Sequence, residues 1–176
     1  MIFHPFIAKK ALRYTQQALH VCDSLKKDSL LDGDENGGQL DAFRHCYWMA
    51  LLGQHIRPAK AYKLGLAHEK GNREQFEKGQ LEEGALPDSM SSVMDVVNNQ
   101  LGIQLALANR GSKAPLSNAD LILFIQHKIL KGEMRILLKD EQGRFLTCEG
   151  EPIDLSVYKG KWNVPKCLVK SNAKGF

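Results

Sequence analysis

The sequence predicts a mainly α-helical protein: a compact bundle of about five helices, then a short C-terminal β-hairpin and an irregular basic tail. Two observations lead there. Apolar residues recur at three- and four-residue spacing through most of the first 132 positions, interrupted by glycine, proline and aspartate breaks. After Gly132 the pattern shortens into two apolar runs around a glycine turn. Residues 1–132 therefore read as the helical core that carries any site, and 133–176 as a hairpin and tail packed on the same domain.

Each element has a local reason. The first helix, about 4–27, opens near Pro5, whose missing N–H is not needed in a first turn. Its apolar stripe is Ile7, Ala11, Leu12, Ala18, Leu19, Cys22 and Leu25. A polar, glycine-bearing loop follows at 31–39. The second helix spans about 40–54, and Pro58 opens a third through AKAYKLGLAHEKG. Residues 71–87 are polar and hold Gly79, Gly84 and Pro87, which predicts a loop or frayed segment. Asp88 or Ser89 caps a fourth helix over about 89–108. Ser117 with Asp120 resembles a capping box for the fifth, and Gly132 ends it. Then MRILLKD and RFLTCEG flank Gly143 as a hairpin.

Composition narrows the function classes. The 176 residues are 43% hydrophobic and 25% charged, which suits one soluble domain with a real core. No apolar run reaches the ~18 residues that cross a bilayer, so an integral membrane protein is not expected. The start, MIFHPFIAKKALRY, lacks an apolar h-region and a small-residue cleavage site, so no Sec signal is read there. Export would need a specialised secretion route. The net charge of +4 favours anionic surfaces but is no strong nucleic-acid signal. Lys159, Lys161, Lys166, Lys170 and Lys174 read as a solvated tail more readily than as a phosphate patch. The four cysteines form no C-x-x-C pair; Cys22 and Cys46 read as small core hydrophobes, while Cys148 and Cys167 could pair.

The chemistry lies where ionisable groups interrupt apolar helices. Asp41, Arg44, His45 and Trp48 stand three or four apart and share one helical face. Buried together, they must pair with one another, with neighbours or with a metal ion. Asp95, Asn98, Asn99 and Gly102 repeat this on the fourth helix. Two asparagines are poor helix formers and imply a specific polar partner, and Gly102 allows close approach of a helix or a ligand. His68 and Glu69 are metal-ligand types, although no HExxH motif is present. Alone, each stripe is as well explained by helix packing or a solvated helix end; their coincidence points to a site.

Three further features carry weaker signals. DGDENG at 32–37 opens like a calcium loop, but Phe43 stands where the twelfth-position glutamate belongs. His4 is a candidate extra ligand. Cys46 beside His45 raises a cysteine nucleophile, yet adjacent helical side chains diverge by about 100° and Cys46 lies away from the helix N-terminus.

DAFRHCYWMALLG at 41–53, AHE at 67–69 and MDVVNNQLG at 94–102 together resemble a bacterial domain family of uncharacterised function. Its members carry DAFRHxYW, AHE and MDxxNNxxG elements and are found in Rhs-type and other polymorphic-toxin proteins. The resemblance implies that Asp41, Arg44, His45, His68, Glu69, Asp95, Asn98 and Asn99 form one site, and that the protein is a toxin or effector with a possible immunity partner. A looser resemblance joins the helical zinc phospholipase C and P1-type nuclease group, although the histidine count is low and the HxxxD order is missing.

Two functions are expected from these residues. The first is a hydrolase acting on a phosphodiester, phospholipid or cell-envelope substrate. In its metal version Asp41, His45, His68, Glu69 and Asp95 hold a divalent ion, zinc or calcium, with Arg44 stabilising charge. In its metal-free version His45 is the general base, oriented by Asp41, with Asn99 at the oxyanion. Trp48, Asn98 and Gly102 would contact substrate. The second function is a non-catalytic interaction module whose Asp–Arg–His–Asn network is structural.

Overall fold

A computed structural model describes residues 5–27, 29–80, 86–111 and 114–173. The helices are α1 (Pro5–Leu25), α2 (Gln39–His55), α3 (Pro58–Glu77), α4 (Ser89–Ala108) and α5 (Asn118–Leu130). Strands β1 (Arg135–Leu137) and β2 (Leu168–Lys170) pair antiparallel, with Ile136 opposite Val169. No helix among the described residues is long and apolar enough to cross a membrane. The mainly α bundle expected from the sequence is the architecture found.

Helix α2 is the axis of the bundle. It is apolar almost all round, with Leu40, Phe43, Tyr47, Met49, Leu51 and Leu52 inaccessible or nearly so, and such a helix must be enclosed by its neighbours. The others pack around it. Each large side chain fully buried here contributes about 1.5–3 kcal/mol. The contact with α4 is the tightest. A Cβ on Gly102 would lie 2.2 Å from the Cys46 carbonyl oxygen, and one on Gly53 would lie 2.5 Å from the Ala106 Cβ. Both partner numbers ascend together, so α2 and α4 run in the same direction.

The expected caps form. The Asp88 carboxylate accepts from the Met90 and Ser91 N–H groups, and the Ser117 hydroxyl accepts from the Asp120 N–H. The expected break after Gly71 does not form: α3 continues to Glu77. Its inward stripe, Ala61, Gly65, Glu69 and Asn72, carries through the polar stretch. Outside that stripe, Arg73 pairs with Glu77 at 2.9 Å and stacks 4.6 Å above the Trp162 ring, while Phe76 meets Trp162 edge-on. Tertiary packing overrides weak helix propensity here. Gly84 lies outside the described residues.

The carboxylates of the DGDENG loop are engaged within the protein. Asp32 accepts from the Asp34 and Gln39 N–H groups, Asp34 accepts from the Asn36 N–H, and Asp34 also pairs with Lys139. These carboxylates brace the entry to α2.

The C-terminal region differs in detail from the expected hairpin. Gly143 does turn, at φ +77°, and isolated bridges join Lys139 to Phe145 and Leu146 to Pro152. The regular ladder of β1, however, is with β2 from the tail. The tail inserts because Cys167 exchanges backbone bonds with Leu138 and Leu146 and is disulfide-bonded to Cys148. Such a cross-link across a short loop contributes about 3 kcal/mol. The tail is therefore ordered, and Lys166 is buried against Asp88 rather than solvated. Of the five tail lysines, Lys174 lies outside the described residues.

Candidate functional site

The site begins at the first turns of α2. Gly37, at φ +88°, delivers its N–H to Asp41 Oδ2 at 2.7 Å. One turn on, Arg44 Nη2 donates to Asp41 Oδ1 and lies 3.2 Å from His45 Nε2. Helix α4 contributes Asp95, whose Oδ1 is 3.2 Å from His45 Nε2; Asp41 Oδ1 is 3.4 Å from the same nitrogen. His45 and Asp95 are only 3% and 6% exposed. The α2 and α4 stripes singled out in the sequence thus meet at one imidazole.

Burial alone would raise the Asp41 pKa. The His45 hydrogen bond, the Arg44 charge and the Gly37 N–H outweigh it and hold the carboxyl below its ordinary range. Burial lowers the His45 pKa, helped by Arg44 and His68 and opposed by Asp41. The imidazole is neutral near pH 7. Two carboxylate oxygens lie within reach of Nε2, whereas buried Nδ1 has no hydrogen-bond partner among the described residues. Nε2 faces both kinds of partner: protonated, it donates to the carboxylates; unprotonated, it accepts from Arg44 Nη2. Arg44 is raised above its usual value despite burial, because Asp41 and Asp95 face it.

Beside this cluster opens a hollow of about 220 Å³. Arg44, His45 and Trp48 of α2, His68 of α3, and Thr15, Ala18 and Leu19 of α1 line it. The His45 and His68 ring centres are 6.2 Å apart, and Trp48 meets His68 edge-on at 5.5 Å. Trp48 is fixed in turn by donating to the Thr15 hydroxyl at 2.9 Å.

The structure divides the ten predicted residues. Asp41, Arg44, His45 and Asp95 converge, and Trp48 and His68 line the hollow with two of them. The five-residue metal set reduces to three: among the described residues Asp41, His45 and Asp95 bring one ligand atom each within 4.8 Å of one another. These three could hold a metal ion. His68 lines the hollow beside His45, and Glu69 is buried on the inward face of α3 and accepts from Asn72 Nδ2 at 3.4 Å.

Asn98 and Gly102 make structural contacts. Asn98 accepts from the Arg135 N–H and donates to the Arg135 carbonyl, fastening β1 to α4. Gly102 is where α2 and α4 touch. Asn99, one turn beyond Asp95, is 1% exposed, and neither amide atom has a hydrogen-bond partner among the described residues. Cys46 is no nucleophile: burial pushes its thiol up to about 12. His4 lies outside the described residues.

Sequence reasoning missed the α1 wall and Asn72. Thr15 stands on the same stripe as Ala11, Ala18 and Cys22, and a hydroxyl on an apolar stripe was the available signal. Asn72 follows Glu69 at helical spacing but falls in the stretch read as a loop.

The family model described as "Domain of unknown function (DUF6973)" matches residues 1–133. No curated protein and no solved structure matches the chain. The matched span holds all five helices and every residue of the cluster and hollow, and the chain belongs to this family, a domain of unknown function.

Proposed function

We propose that the hollow is the centre of a hydrolase in which His45 and His68 work as a general base and a general acid. The observation that carries this reading is the pair of imidazoles 6.2 Å apart, lining one opening with Arg44. Asp41 and Asp95 orient His45 through Nε2 and stabilise the imidazolium formed when the ring takes a proton from water. The water oxygen bonds to the phosphorus or acyl carbon, the ester bond to the leaving oxygen breaks, and His68 protonates that oxygen. Arg44 offsets the negative charge that develops in between. The apolar walls formed by Ala18, Leu19 and Trp48, beside a guanidinium, suit a phosphodiester carrying an apolar group, such as a phospholipid. The motif resemblance favours a role as an antibacterial toxin or secreted effector, neutralised by an immunity partner.

A metal-assisted form of the same hydrolase has its own support in the three ligand atoms of Asp41, His45 and Asp95. An imidazole ligand suits zinc better than calcium. Arg44 already supplies a positive group at two of those atoms and would have to withdraw. When bound, the ion would supply an activated water.

The test is a hydrolysis screen over phospholipid, nucleic acid and peptidoglycan, with elemental analysis of the same sample. His45→Ala should lose about 100-fold or more in rate with the helical circular dichroism unchanged, and His68→Gln should lose less and flatten the alkaline limb of the pH profile. Full activity in His45→Ala would sink the enzymatic reading. The alternative, a structural network with no catalysis, is favoured locally by the twofold bonding of Asn98 to Arg135. It predicts that Asp95→Ala melts early and that no substrate is turned over.

A further inference from the structure

At the far end of α2, about 15 Å along its axis from His45, a second hollow of about 500 Å³ opens where α2 and α4 end and α3 begins. Gln54, His55, Arg57, Asn109 and Arg110 supply its polar lining, and among the described residues no carboxylate lines it. Arg57 and Arg110 are exposed and have no carboxylate partner among the described residues. The surroundings are basic as well. Lys10 donates to the His55 carbonyl at 3.3 Å, and Arg13 lies over Tyr14, which stacks on the His55 ring at 4.4 Å. His55 registers that field: after burial, Lys10 and Arg13 are what hold its pKa down.

Gln54 gives an independent sign of a ligand. Its carbonyl oxygen accepts from the Leu116 N–H at 2.7 Å, which fixes the side chain, while its buried amide nitrogen has no partner among the described residues. A buried donor left unmatched is costly unless something comes to accept from it. The first turn of α3, starting at Pro58, adds the positive end of a helix dipole.

We propose that this hollow binds a phosphate group, presented either by a small soluble ester or by a lipid headgroup, through Arg57, Arg110 and the Gln54 amide. Guanidinium groups recognise phosphate oxygens with paired hydrogen bonds, and an oriented neutral donor adds direction. The volume accommodates a drug-sized molecule beyond the phosphate itself. Because this site lies apart from the His45 hollow, the proposal does not rest on the hydrolase reading.

The test is calorimetric titration of the full chain with inorganic phosphate and with glycerol 3-phosphate, beside co-sedimentation with vesicles of phosphatidylglycerol or of phosphatidylcholine. Saturable binding is expected, weakened about tenfold by Arg57→Gln or Arg110→Gln and unchanged by Lys63→Gln, which removes the same charge from an exposed site outside the hollow. Binding of glycerol 3-phosphate assigns a soluble ester; binding confined to phosphatidylglycerol vesicles assigns a headgroup. Either supports the site. Absence of binding to all of these probes, or equal weakening by all three substitutions, overturns it. Circular dichroism of the exposed-site variants confirms that each is folded.

Discussion

The two halves of the α2–α4 contact solve the same problem with opposite chemistry. Toward the C-terminal ends the helices touch through missing side chains: Gly102 against the Cys46 backbone, and Gly53 against Ala106. Toward the N-terminal ends they are joined by ionisable groups, His45 to Asp95, with Asp41 and Arg44 alongside. The first half gains from dispersion and close packing, and any added atom is felt. The second removes charges from water and recovers that cost only while every partner is present. A stretch that could have been closed by small residues instead holds a polar cluster beside an opening. That difference is why we propose the N-terminal half as the functional one, since buried ion pairs are weak contributors to stability.

The largest expected effect comes from breaking the polar half on one side. Asp41→Ala leaves Arg44 without its nearest carboxylate and the Gly37 N–H without its acceptor. The loss should be about 3–5 kcal/mol, read as a shift in the urea midpoint. An unchanged midpoint would show that water reaches Arg44 freely and that the cluster is not a closed network.

Next in size is the packed half. Gly102→Ala places a methyl group 2.2 Å from a carbonyl oxygen in α2, so the two helices must part. A cost of about 1–3 kcal/mol is expected, and hydrogen exchange should quicken along both helices. If exchange quickens only near the substitution, the two halves are independent units.

The smallest effect sharpens the comparison through pH. His45 is held neutral in the folded protein, below its ordinary value of 6.5. As pH falls below that value the unfolded chain takes up the proton and the folded one does not, so stability declines with acid by at most about 1.4 kcal/mol per pH unit. The decline ends once the folded imidazole is charged. Asp41 acts in a separate window: its stabilising influence is present above its ordinary 3.8 and is lost as pH falls through its lowered folded value. Melts from pH 7 to 5 should therefore show a slope that His45→Gln removes. A slope that survives the substitution assigns the titration elsewhere.

Sequence periodicity by itself determined the helical class, the span of α4 and the start of α5, because these depend on local spacing and on side chains that cap nearby N–H groups. It also identified Asp41, Arg44, His45 and Asp95, since ionisable groups on an otherwise apolar helix must find partners wherever the chain goes. Only the tertiary structure decided the rest. Asn98 and Asn99 are neighbours of one type, yet one ties down β1 and the other finds no hydrogen-bond partner among the described residues, because about 100° of helical rotation points them at different surroundings. The length of α3 depended on Trp162, which meets Phe76 and Arg73 from more than eighty residues away. Thr15 became part of a wall only when α1 crossed α2. Spacing along a chain fixes which residues share a face, but the energy of a buried group is set by what it meets there, and those partners come from elsewhere in the chain.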